Sequence, residues 1–176
     1  MKLAELKSKI RTIPNWPKQG IMFRDITTLL KDPAALKEVI LRFKKEFSNK
    51  NITKIVGIES RGFIFGSILA HELAVPFIPA RKPGKLPAAA TKEEYELEYG
   101  KDSIEIHNDA IQPEDNVLIV DDLVATAGTM LAAAKLIEKF NAKVAGIAYV
   151  IDLPELKGKE KLKNYHTFHL IDFEGE

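Results

Sequence analysis

From Lys54 onward the chain repeats one pattern: a short apolar run, a small-residue turn, then a helix. This constrains the fold more than any other feature. Lys54-Ile-Val-Gly-Ile58 has the length and β-branched content of a strand, Ser60-Arg61-Gly62 is its turn, and residues 63–73 are helical. Residues 75–80 form a second strand, interrupted by Pro76 and Pro79. Asn116-Val-Leu-Ile-Val120 is the clearest buried strand, 129–140 a helix and 144–151 another strand. Runs that are apolar on both faces belong to strands covered on both sides. The expected fold is α/β: a mostly parallel twisted sheet with helices on both faces. Such sheets hold ligands beyond the carboxyl ends of their strands. That rule points to residues 59–62 and 121–129.

The flanking segments differ in character. Leu3, Leu6, Ile10 and Ile13 fall at helical spacing and predict one short amphipathic helix over the first dozen residues, ended by Pro14, Pro17 and Gly20. Asp32-Pro33 is a helix start, with Asp32 as cap, and Leu36, Val39, Ile40, Phe43 and Phe47 form the apolar stripe that follows. Residues 82–109 open with Pro83-Gly84-Lys85-Leu86-Pro87. Tyr95, Leu97 and Tyr99 then alternate with polar residues, as do Ile104 and Ile106. This predicts a loop and β-hairpin projecting from the sheet as a lid, since so long a connection in a compact domain is usually functional. Residues 157–163 read as a Lys-rich linker, and 165–173 as a final edge strand bearing His166 and His169 on its surface. One domain is expected over 1–176, with a hood in 1–30 and the lid in 82–109.

Composition narrows the function classes. The absence of Cys excludes disulfides, zinc ribbons and thiolate nucleophiles. Lys+Arg 26 against Asp+Glu 25 leaves a net charge of +1, no general reason to bind a nucleic-acid polymer or an anionic membrane. The N-terminus has no signal-peptide core, and no apolar run approaches the ~20 residues of a membrane helix. A cytoplasmic location is expected.

Asp121-Asp122-Leu123-Val124-Ala125-Thr126-Ala127-Gly128-Thr129 is the most informative stretch, set between the best strand and a good helix. Amides at a helix N-terminus bind anions, and small residues let a phosphate approach the backbone. Two adjacent carboxylates would repel that phosphate but accept hydrogen bonds from sugar hydroxyls. A phosphate one sugar away from a vicinal diol describes a ribose 5-phosphate.

These residues resemble the signature of the type I phosphoribosyltransferase family. Phe23-Arg24-Asp25-Ile26, Glu59-Ser60-Arg61-Gly62-Phe63, Arg81-Lys82-Pro83-Gly84-Lys85-Leu86-Pro87, Leu97-Glu98-Tyr99-Gly100 and Val120-Asp121-Asp122-Leu123 are similar to the family's members that act on adenine. The resemblance runs from about Pro14 to the C-terminus. It implies Mg²⁺-dependent transfer of ribose 5-phosphate from 5-phosphoribosyl 1-diphosphate to adenine, giving AMP and diphosphate. It also implies a homodimer and small-molecule partners only.

By the same resemblance, Asp121 and Asp122 take the ribose hydroxyls, and Ala125, Thr126, Ala127, Gly128 and Thr129 the 5-phosphate. Arg61, Arg81, Lys82, Lys85 and Tyr99 meet the diphosphate, and Mg²⁺ is held mainly by substrate. Glu98 exchanges a proton with the purine as the bond to the anomeric carbon forms. Phe23 stacks on the base with Leu153 opposite, while Met22 C=O and Arg24 N–H, two residues apart on an extended backbone, read its amino group and ring nitrogen. The family usually has Gly where this chain has Ala127; a negative φ is expected there, making the change harmless. Two other classes fit less well. A donor-binding transcriptional regulator lacks a basic recognition helix here. A hydrolase on Ser60 lacks the G-x-S-x-G spacing, since Gly57 and Gly62 are one residue too far apart.

Overall fold

The apolar runs become the centre of a five-stranded, wholly parallel sheet. The structure is a computed structural model and describes residues 1–96 and 100–175. In chain order, α1 (Leu3–Ser8), β1 (Arg11–Pro14), β2 (Met22–Asp25), α2 (Thr27–Leu30) and α3 (Pro33–Phe47) precede the sheet. Then come β3 (Lys54–Ile58), α4 (Gly62–Leu73), β4 (Phe77–Ala80) and the antiparallel hairpin β5 (Ala90–Glu96) and β6 (Lys101–His107). β7 (Asn116–Val124), α5 (Gly128–Lys139), β8 (Lys143–Asp152), a 3-10 turn (Pro154–Leu156), α6 (Gly158–Lys161) and β9 (Thr167–Asp172) complete the chain. The sheet order is β4-β3-β7-β8-β9, which puts the clearest strand, β7, in the middle and the last strand at an edge.

Both faces are covered, as expected for strands of this composition. Phe43 and Phe47 of α3 and Phe65 and Leu69 of α4 pack with Leu118 and Val120 on one face. Met130, Ala133, Leu136 and Ile137 of α5 pack with Val117, Ile119 and Tyr149 on the other. Asp32 caps α3 through bonds from the amides of Ala34 and Ala35, at 3.0 and 3.2 Å. The hairpin departs from expectation. It does not simply project: Ile104 and Ile106 are buried with α5, because their side of the hairpin is apolar enough to join the core.

The N-terminal segment also departs. The single helix expected over the first dozen residues stops at Ser8, where the amides of Lys9 and Ile10 bond back three residues and tighten the last turn. Ile13 sits instead on β1, paired opposite Phe23 of β2. A cross-strand partner ten residues away outweighs helical spacing, which only sees local sequence.

That ribbon is fixed by a charge pair. Arg11 faces Asp25 across the two strands, and its Nε donates to Oδ2 at 3.0 Å, while the Thr27 amide donates to Oδ1 at 2.9 Å. Burial works to raise the Asp25 carboxyl, but the bonds from Arg11 and Thr27 prevail and hold it at about 2, down from 3.8. A depressed carboxylate contributes stability above its unfolded pKa and loses it as pH falls through the folded value. Asp25→Asn should therefore destabilise at pH 7 by about 2 kcal/mol, with the gap to wild type closing between about pH 4 and pH 2. Urea unfolding across that range checks it; a gap independent of pH would contradict the pairing.

Candidate active site

Two parallel strand ends build the site. β3 and β7 pair with Lys54 opposite Val117 and Gly57 opposite Val120, so the turns leaving them open at the same edge of the sheet. Glu59, Ser60 and Arg61 from one turn and 125–129 from the other line a cavity of about 250 Å³ with Lys82, Asp121 and Asp122. The Glu59–Ser60 peptide in its wall is cis, as is Trp16–Pro17 in the hood. The stretch singled out for phosphate wraps the N-terminus of α5, where the first amides of a helix lack internal partners.

Ala127 corrects the expectation of negative φ. It caps α5 at φ +64°, because the chain must turn from β7 into α5 within a few residues and closes that turn with a left-handed residue. A non-glycine residue there costs about 1–2 kcal/mol. Its methyl group is buried near Tyr95 and Met130, which returns about 0.8 kcal/mol. That strain bears on the stability of the loop.

Asp121 and Asp122 are not at a solvated strand end, because β7 runs on through Val124. Asp122 is 2% exposed. Arg61 Nε lies 3.0 Å from its Oδ2, yet the N–H is not aimed at that oxygen, which has no hydrogen bond. Asp121 lies deep in the wall with some surface toward the cavity, and accepts the amide of Asp122 at 2.8 Å. Burial, and then the charge of Asp122, push the Asp121 carboxyl well above the usual range. Burial raises Asp122 as well, with Arg61 opposing. The pair thus holds acceptor capacity that a vicinal diol could fill.

Arg61 stands at a junction. Its guanidinium carbon lies 5.5 Å from the centre of the Phe23 ring. Beyond it is a second cavity of about 500 Å³, walled by Met22, Phe23, Arg24, Leu153 and Leu156. The two share Arg61, Leu123, Ala125 and Thr126, and so form two lobes of one cleft. The sequence-predicted base residues therefore come together, with Phe23 propped edge-on by Trp16 at 4.4 Å between ring centres. The Arg24 side chain is committed to the tail. It donates to Thr12 Oγ1 at 2.8 Å and to the carbonyls of Glu174 and Gly175 at 3.1 and 3.3 Å, over the Phe173 ring.

The basic residues are less alike than their spacing suggested. Of Arg81, Lys82 and Lys85, Lys82 alone lines the phosphate-side cavity. Its Nζ donates to Tyr95 Oη at 2.8 Å and pairs with Asp102; burial works against its charge, but these partners raise its pKa on balance. Arg81 turns to Glu59, at 3.2 and 3.3 Å, and to the carbonyl of Lys85 at 3.1 Å, while the Lys85 side chain is exposed. Glu59 also accepts the Lys82 amide at 2.8 Å. Glu98 and Tyr99 lie outside the described residues.

A family model for the phosphoribosyl transferase domain matches residues 25–175. An adenine phosphoribosyltransferase of Desulfosudis oleivorans is 54% identical over 98% of this chain and 99% of its own length. The chain belongs to the adenine phosphoribosyltransferases. The crystal structure of the enzyme from Thermoanaerobacter pseudethanolicus superposes with a TM-score of 0.94 at 48% identity, covering 98% of this chain and 100% of that one. The Saccharomyces cerevisiae enzyme, solved with adenine and an imino-altritol bisphosphate, gives a TM-score of 0.90 at 42% identity over 96% and 98% of the two chains.

As an adenine phosphoribosyltransferase the chain has two contacts that sequence reasoning missed. Gly62 opens α4 so close to β7 that a Cβ there would lie 2.6 Å from Val120 O, and this approach seats Arg61 over Asp122. Gly158 sits against the phosphate loop, where a Cβ would lie 2.0 Å from Ala125 O. The supposed linker 157–163 is therefore a buttress; a lone Gly between two Lys was the only trace of it. Gly158→Val should displace the Ala125 carbonyl and raise KM for the phosphoribosyl donor about tenfold or more, with a smaller change in KM for adenine. Steady-state kinetics check this, and an unchanged donor KM would refute it.

Proposed function

We infer that the cleft transfers ribose 5-phosphate from 5-phosphoribosyl 1-diphosphate to adenine, releasing diphosphate and forming AMP, a purine-salvage reaction. The observation that carries this reading is the joined cleft: an acid pair and helix N-terminus in one lobe, an aromatic and aliphatic slot in the other, and Arg61 between them. The 5-phosphate takes the amides of 125–129 with the hydroxyls of Thr126 and Thr129. Asp121 and Asp122 accept the ribose hydroxyls, and their charge favours the oxocarbenium character the sugar gains as diphosphate leaves. Arg61, displaced from Asp122 by those hydroxyls, turns with Lys82 to the diphosphate; Arg81 and Lys85 add positive potential behind them.

Adenine lies between Phe23 and Leu153. Met22 C=O accepts from its amino group and Arg24 N–H donates to the neighbouring ring nitrogen. A 6-oxo purine reverses that donor and acceptor order and leaves buried groups unpaired. Glu98 takes the proton the purine loses as its nitrogen bonds to the anomeric carbon, and Tyr99 meets the diphosphate. The closed lid excludes water from that carbon.

Mg²⁺ fits as an ion carried in by substrate. It keeps several waters and binds through one or two carboxylates plus substrate phosphates. Among the described residues no group of three ligating side chains lines the cleft, so Asp121 and Asp122, through water or ribose oxygens, are what this chain offers it. When bound it neutralises the departing diphosphate. A homodimer in the cytoplasm completes the proposal; no helix among the described residues is long and apolar enough to cross a membrane.

The purified protein with Mg²⁺ and donor should form AMP from adenine with kcat/KM about 10⁴-fold above that for hypoxanthine, guanine or xanthine. A faster reaction with a 6-oxo purine, or no AMP, would overturn the assignment.

A further inference from the structure

Away from the cleft, the carboxyl ends of β8 and β9 bring Asp152, His169 and Asp172 together, one ligand atom of each within 4.8 Å of the others. The register makes the cluster: Tyr149 lies opposite His169, and Asp152 opposite Asp172. Asp152 is 4% exposed, and its Oδ1 accepts the Tyr149 hydroxyl at 3.0 Å. His169 was expected on the surface. Instead it is half-buried, stacked on the Tyr149 ring with centres 5.3 Å apart and planes 17° from parallel, and its Nε2 lies 2.8 Å from Asp172 Oδ1. A cavity of about 430 Å³ opens beside Asp152 and Asp172. The transfer reaction uses none of these three side chains.

We propose that Asp152, His169 and Asp172 form a site for a divalent first-row transition ion, Zn²⁺ foremost, which fastens the edge strand β9 to β8. One imidazole and two carboxylates are a mixed nitrogen and oxygen donor set, which suits Zn²⁺; Mg²⁺ and Ca²⁺ take oxygen ligands. Tetrahedral Zn²⁺ with bonds of about 2.0–2.2 Å needs ligand atoms about 3.4 Å apart. The contact of His169 with Asp172 has only to open slightly, and the Asp172 side chain, 59% exposed, can rotate to meet the ion. The other two ligands are already oriented. Tyr149 holds Asp152 by a hydrogen bond and His169 by stacking, the kind of outer support that metal ligands carry. The cavity beside Asp152 and Asp172 is also lined by Lys157 and Lys159, which oppose a cation, and by Glu160, which supports it.

The site has a path to the cleft. Leu153, which walls the base lobe, follows Asp152 directly. Beyond Asp172, the Phe173 ring and the carbonyls of Glu174 and Gly175 hold the Arg24 side chain. An ion joining β8 to β9 would order both.

Chelator-treated full-length protein, free of Mg²⁺, is titrated calorimetrically with Zn²⁺. One ion per chain is expected, with a rise in the thermal unfolding midpoint. His169→Gln and Asp172→Asn should each weaken binding by roughly 100-fold or more, since even the outer partners of metal ligands are worth about 10–100-fold. Each should also abolish the thermal shift, while His166→Gln, at a side chain bonded to Glu46, should leave both unchanged. Co²⁺ in place of Zn²⁺ should show tetrahedral visible absorption in wild type and lose it in His169→Gln. Metal-free unfolding midpoints show that the variants fold. No stoichiometric binding, or binding equal in wild type and both ligand variants, overturns the site. Either result leaves the assignment of the transferase cleft unaffected.

Discussion

Two adjacent carboxylates sunk into the end of β7, opposed by a single guanidinium, are the interaction on which the cleft depends. Carboxylates removed from water cost several kcal/mol each unless paired. Asp121 and Asp122 have Arg61, a few backbone amides and little else. Arg61 can reach them because Gly62 lets α4 close on β7, and the same guanidinium lies over Phe23 of the hood. One side chain thus ties the sugar lobe to the base lobe. Ribose hydroxyls would complete what the protein leaves unsatisfied and release that side chain toward the diphosphate.

The near-zero net charge conceals this arrangement rather than contradicting it. Glu59 holds Arg81 and the Lys82 amide, Asp102 holds the Lys82 ammonium, and Asp122 holds Arg61. Three of the cations intended for an anionic ligand, Arg61, Arg81 and Lys82, thus have an acid of the same chain beside them. Sums over the sequence cancel, while the cleft keeps distinct regions for phosphate, hydroxyls and diphosphate.

What local sequence encodes was legible. β3 has the bounds its apolar run predicts, Asp32 caps α3 as its Pro33 neighbour implied, and β9 lies at the edge. What depends on distant partners was not. β7 continues through two Asp residues because β8 pairs with it as far as Asp152, and Ile13 leaves the helical pattern because Phe23 lies opposite it. The sign of φ at Ala127 follows from the direction α5 must take. Gly158 as a buttress depends on a loop more than thirty residues earlier in the chain. The site residues were found by motif, whereas their counter-ions, Glu59 and Asp102, became visible only in three dimensions.

The central claim is that the acid pair is under-satisfied until a sugar fills it. Hydroxyl donors favour the ionised carboxylate, so the raised pKa of Asp121 should fall on binding and a proton should be released. Calorimetric titration with ribose 5-phosphate between about pH 5 and 6, in buffers of different ionisation enthalpy, counts those protons. The ligand's own phosphate contributes equally in wild type and in Asp121→Asn, which isolates the carboxyl. Greater proton release by wild type than by Asp121→Asn is the predicted result. Equal release with undiminished binding would contradict it.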